Sequence, residues 1–121
     1  MAKTILIIDD DPGIVDVLQL ILEEAGYRVE TQMDGHAAEQ LTLPLPDLVL
    51  LDIRVSGTHG GTLCHQFKSQ SATQSIPIIL LSAHQEGEQI AREAGADAFL
   101  AKPFEMGDIL SLTEKYAGKA S

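Results

Sequence analysis

Cysteine, tryptophan and positive charge are scarce in this sequence. Cys64 is the single cysteine among 121 residues, so no internal disulfide can form, which fits a reducing, cytoplasmic setting. Eight Lys and Arg stand against eighteen Asp and Glu, a formal net charge of −10. That balance argues against unaided binding to DNA or RNA, where a basic footprint is expected. No apolar run approaches the roughly 18 residues that a bilayer demands, so no membrane segment is expected. Ten glycines and five prolines lie far below collagen-like or low-complexity levels. The opening Met1-Ala2-Lys3-Thr4 leads directly into a strand-like segment and lacks the shape of a cleavable signal peptide. What is present is a 45% apolar chain of a length normal for one domain. We expect a single unit over 1–121, with a folded core near 3–117 and a small polar tail at 118–121.

Short apolar runs alternate with amphipathic stretches. Thr4–Asp9, Asp47–Asp52, Ile76–Ser82 and Asp97–Lys102 do not alternate apolar with polar residues, so they predict strands covered on both faces, as in a parallel sheet. The more polar Tyr27–Gln32 suits an edge strand. Helical spacing follows Asp11-Pro12, a cap with proline in the first turn, and stops at Gly26. Further helices are predicted over Asp34–Leu41, Gly61–Ser71, Gly87–Ala94 (stopped by Gly95) and Glu105–Tyr116. Strict alternation of five strands and five helices predicts a doubly wound α/β domain.

In such a sheet, ligands bind beyond the carboxyl ends of the strands. Four runs end there in polar groups: Asp9-Asp10-Asp11, Asp52, Ser82 and Lys102. Two carboxylates about 4 Å apart repel by roughly 4 kcal/mol at an effective dielectric near 20. One lysine cannot neutralise the cluster, and an all-oxygen ligand set suits a hard divalent ion, Mg2+ above all.

The ordered pieces Ile7–Pro12, Leu50–Ile53, Gly57 with Gly60, Leu81–Ala83, Gly95-Ala96 and Ala101–Phe104 resemble a response-regulator receiver domain of two-component signalling, the CheY-like family. The resemblance implies a flavodoxin-like fold with strand order 2-1-3-4-5. It implies Asp52 as phosphoacceptor, taking a phosphoryl group from a histidine kinase or histidine phosphotransfer protein. Asp9, Asp10, Asp52 and the backbone carbonyl of Arg54 would hold Mg2+, Asp10 directly and Asp9 largely through water. Lys102 and Ser82 would contact the phosphoryl oxygens, and Ser82 with Phe99 would form the conformational switch. The Lys102–Pro103 bond is cis in the family. Output to a partner or domain would pass through the surface of the fourth helix, fifth strand and fifth helix, where a homodimer could also form. Such a domain is a signalling module whose only chemistry is its own phosphorylation and dephosphorylation.

Several residues have plainer readings. Asp11 alone would cap the first helix, Cys64 would pack in the core, and His59 and His65 would be solvated, since their spacing with Cys64 matches no zinc pattern. Phe99 is a core aromatic as well as a switch candidate. Ser56 and His59 stand where the family usually has proline and an acid. Arg54 and His84 occupy positions that tune dephosphorylation in the family. A haloacid-dehalogenase-type phosphatase would use Asp9 and Asp11 as a D-x-D pair, but Gly13 stands where its threonine belongs. A flavodoxin would need a phosphate loop in place of the three acids.

Overall fold

β1 (Thr4–Ile8) is built from five consecutive strand formers, four of them buried, and this decides its place at the middle of a sheet. The computed structural model describes residues 2–35, 45–55 and 58–120. β2 (Arg28–Gln32) and β3 (Leu48–Asp52) lie on either side of β1, and β4 (Ile78–Ser82) and β5 (Ala98–Ala101) follow beyond β3. All four pairings are parallel, giving the expected order 2-1-3-4-5. β3 and β4 are buried at every position, as unbroken apolar runs require.

β5 departs from the expectation of cover on both faces: Ala98, Phe99 and Leu100 are only half-buried and Ala101 is exposed. Its run is apolar enough for a central strand, but it closes the sheet and has one neighbour, β4. Edge position, which pairing decides and composition does not, accounts for the difference.

Helices resting wholly on the described residues are α1 (Pro12–Glu24), α2 (Gly60–Ser69), α3 (Gly87–Ala94) and α4 (Met106–Ala117). Asp11 caps α1, its side chain accepting from the amides of Gly13 (2.9 Å) and Ile14 (3.4 Å), with Pro12 in the first turn. Gly26, beyond the end of α1, has φ +100°, and Gly95 closes α3 in the left-handed region at φ +81°. The helix expected over Asp34–Leu41 falls largely on 36–44, outside the described residues. Two buried layers flank the sheet. Leu6, Ile8, Val49, Leu51, Ile78 and Leu80 point toward α2 and α3, whereas Ile5, Ile7, Leu48, Leu50, Ile79 and Leu81 point toward α1 and α4. The period of two along each strand produces this division.

The end of the chain differs from the expected polar tail. Ala120 is buried, its carbonyl accepts from the Lys3 amide (3.2 Å), and the Tyr27 hydroxyl donates to the Gly118 carbonyl (2.7 Å). Gly26 leaves room for this return, since a β-carbon there would stand 3.2 Å from Cβ of Ala120. Small residues at the end read in sequence as a polar tail beyond the folded core; here smallness lets them pack.

Candidate functional site

Parallel strands all end at the same rim, and here the rim collects the polar ends. Asp9 follows β1, Asp52 ends β3, Ser82 ends β4, and Lys102 follows β5. The backbone fixes their spacing: the Ile53 amide donates to the Leu81 carbonyl (3.1 Å) and the Lys102 amide to the Ser82 carbonyl (2.9 Å). Lys102 reaches across the sheet, its Nζ 3.0 Å from Asp9 Oδ2 and 3.3 Å from Asp52 Oδ1. The Asp9 side chain is 1% exposed and that of Asp52 12%. Asp9 uses its other oxygen to accept from the Asp11 amide (3.0 Å).

One carboxylate oxygen each from Asp9, Asp10 and Asp52 lie within 4.8 Å of one another. Burial, then the charge of Asp9, push the Asp52 carboxyl above its ordinary value, and Lys102 only partly opposes them. Burial works against the Lys102 ammonium, but the Asp9 hydrogen bond and the charges of Asp52 and Asp9 outweigh it, so its pKa is raised. The three carboxylates and the Lys102 ammonium thus share one partly dry place. Such a donor set fits a small hard cation, and the sequence-based expectation of Mg2+ agrees with the chemistry of these oxygens.

Beside the acids opens a cavity of about 620 Å³ lined by Asp11, Asp52, Arg54, Ser82, His84 and Lys102, among others. The Ser82 hydroxyl accepts from the His84 amide (2.8 Å), which leaves its own proton available to an acceptor in the cavity. Arg54, exposed at the rim, belongs to a two-residue antiparallel ladder in which it pairs with His59. The Lys102–Pro103 peptide is cis. Phe99 is half-buried against the α2–α3 layer.

Other sequence candidates fall elsewhere. Cys64 is fully buried, its thiol 3.7 Å from the Ala94 carbonyl, and burial pushes it up to about 11, so it is an inert core thiol. His65 is exposed. His59 has a role that composition did not signal: its Nδ1 accepts from the Gly61 amide (3.0 Å) and caps α2. Sequence reasoning also left Gly60 as a mere motif glycine. A β-carbon there would run into the Asp52 carbonyl and stand 2.7 Å from the Ile53 Cα, so α2 can begin against the end of β3 only through glycine. No local pattern announces that approach, because it depends on a neighbouring strand.

The family model of the response regulator receiver domain matches residues 5–114. The chain belongs to the receiver domains of response regulators. Among curated proteins, this receiver is 37% identical over 110 residues to the DNA-binding dual master transcriptional regulator RpaA of Synechocystis, covering 88% of this chain and 46% of that one. It is 35% identical over 114 residues to the phosphate regulon transcriptional regulatory protein PhoB of Escherichia coli, covering 92% and 50%. The chain thus spans about half the length of these relatives. Among solved structures, the receiver domain of the sensor histidine kinase PA1611 of Pseudomonas aeruginosa superposes with a TM-score of 0.84 at 27% identity, covering 98% of this chain and 99% of that one. That structure holds a magnesium ion in its active-site cleft. The receiver is therefore a regulatory domain of two-component systems, with an acidic pocket compatible with a phosphoacceptor. Among the described residues, no helix is long and apolar enough to cross a membrane.

Proposed function

We propose that this receiver accepts a phosphoryl group on Asp52 from a phosphohistidine of a sensor kinase or histidine phosphotransfer protein, and relays the change to an output partner. The observation that carries the reading is the bridging of Asp9 and Asp52 by the Lys102 ammonium beside a cluster of three carboxylates and an open cavity. An Asp52 oxygen attacks the phosphorus, the P–N bond breaks, and its electron pair returns to the donor imidazole. Lys102 then pairs with phosphoryl oxygens, and Ser82 turns its hydroxyl proton toward one of them. Asp9, Asp10, Asp52 and the Arg54 carbonyl would hold Mg2+, which supplies charge neutralisation during transfer. Positioning and electrostatics supply most of the catalysis that phosphoryl transfer needs.

Movement of Ser82 toward the phosphoryl group frees space beside it, and Phe99 answers by shifting; α3, β5 and α4 present the result to an output partner or to a second copy. Relatives named as transcription regulators support an output of that kind, exerted by a partner or adjoining domain and not through nucleic acid bound by this acidic unit. The composition and single cysteine suit a cytoplasmic location. Arg54 and His84 line the cavity and govern how long the aspartyl phosphate lasts, by crowding the attacking water. Replacing Arg54 by Ala is expected to shorten that lifetime, followed as decay of the phosphorylated species; an unchanged half-life removes Arg54 from the mechanism.

Incubation with acetyl phosphate and Mg2+, followed by intact-mass and peptide mass spectrometry, tests the whole reading. One phosphoryl increment on Asp52, lost in Asp52→Asn and strongly reduced in Lys102→Ala, is expected. No increment in folded protein overturns it. Removal of one charge-stabilising group of this kind costs about 100- to 1,000-fold in rate.

A further inference from the structure

The segment joining β4 to α3 is held by three hydrogen bonds in series. The Ser82 hydroxyl accepts from the His84 amide (2.8 Å), the His84 Nδ1 accepts from the Glu86 amide (3.1 Å), and the His84 carbonyl accepts from the Gly87 amide (3.1 Å). They bring Gly87, the first residue of α3, to a buried place against the sheet. A β-carbon built there would stand 2.7 Å from both Cε1 and Cζ of Phe99 and 3.2 Å from Cβ of Ser82. Non-bonded carbons rest about 3.5–4.0 Å apart. The tip of the Phe99 ring thus occupies the volume that any side chain at 87 would claim, and Ser82 forms the wall beside it.

Of these three neighbours the ring gives way most readily in the resting protein. Gly87 is tied by its amide to His84, and Ser82 ends a strand buried along its whole length. Phe99 lies half-buried on the edge strand, and its ring moves by rotation about χ1 without disturbing the ladder. We propose that residue 87 is a positioning residue for the switch: glycine there allows the ring to rest beside Ser82, and the bulk at 87 sets the resting place of Phe99. The proposal rests on the reading of Ser82 and Phe99 as a coupled pair, and it deepens that reading by naming the stop against which the ring rests.

Protein labelled with 4-fluorophenylalanine gives three fluorine resonances, from Phe67, Phe99 and Phe104, and Phe99→Leu identifies the relevant one. Gly87→Ala is expected to move the Phe99 resonance and to leave that of Phe104, packed on the other face of the sheet, in place. Addition of Mg2+ and beryllofluoride, a phosphoryl stand-in, then moves the Phe99 resonance in the parent, and most of that movement is lost in Gly87→Ala. Labelling by acetyl phosphate provides the second readout. Gly87→Ala changes its rate severalfold when Phe99 is present and leaves it unchanged in a Phe99→Ala background. An unmoved Phe99 resonance overturns the proposal, and so does a rate effect that survives removal of the ring. Failure of Gly87→Ala to fold also overturns it unless Phe99→Ala restores folding, since the obstacle is the ring itself. The first comparison involves no phosphoryl group and tests the contact alone. Parent protein that takes no label from acetyl phosphate overturns the phosphoacceptor reading separately.

Discussion

Asp52 carries its charge in a place that resists it. Burial and the Asp9 carboxylate hold its folded pKa above the ordinary carboxylate value, so the native state keeps this proton more tightly than the unfolded chain. Stability from this group is therefore full below the ordinary carboxylate range and is lost as pH rises through the raised value. Asp52→Asn is expected to melt higher than the parent at neutral pH without Mg2+, with the gain fading in acid. Equal melting temperatures at neutral pH would show that Lys102 already cancels the cost. Thr113 offers a simpler case. It is fully buried in α4, and its hydroxyl has no hydrogen-bond partner among the described residues. Thr113→Val keeps the shape and removes the orphaned group, so chemical denaturation should show a gain of about 1 kcal/mol. Single residues were unequally legible in the sequence. Asp52, Ser82 and Lys102 could be picked out because each closes an apolar run, and a parallel sheet brings such ends together. The cap formed by His59 and the bare flank of Gly87 could not, because each depends on what another segment places nearby.

At the scale of elements, the join between β3 and α2 is the tightest place beside the acids. The Gly60 amide donates to the Ile53 carbonyl (2.6 Å), and the missing side chain lets the helix start against the strand backbone. Gly60→Ala forces backbone to move and is expected to cost roughly 2–4 kcal/mol in denaturant unfolding and to slow labelling of Asp52. Retention of parental stability would mean that the loop yields more easily than its packing suggests. The five parallel strands were readable from their runs and the four helices above from their spacing, with the ends of α1 and α3 marked by Pro12, Gly26 and Gly95; the short ladder of Arg54-Val55 with Thr58-His59 was not. The half-exposed state of β5 was not, since an apolar run looks alike at the centre and at the edge of a sheet. The entry of α2 at Gly60 in place of Gly61 is a shift of one residue, set by His59 acting as cap.

For the whole molecule, charge is the dominant fact. A net charge of −10 and three clustered acids mean that a bound cation should stabilise the native state over the unfolded chain. Millimolar MgCl2 is expected to raise the melting temperature, more than an ionic-strength match in NaCl, and Asp10→Asn should abolish the difference. Equal effects of the two salts would assign the gain to general screening. The doubly wound class followed from the alternation of elements, and the strand order from the family resemblance alone. The docking of residues 118–120 did not, because nothing in a run of small residues says what they will lie against.

That docking brings residues 3 and 120 side by side. The Lys3 amide meets the Ala120 carbonyl at the pole where β1 begins, a strand's length of about 17 Å from the acids where it finishes. A short peptide could close the gap and turn the chain into a ring, which could then be reopened at a surface turn. Reordering the sequence in that way leaves the acidic pole untouched, because its make-up belongs to the neighbourhood of strands and not to the order in which they are made.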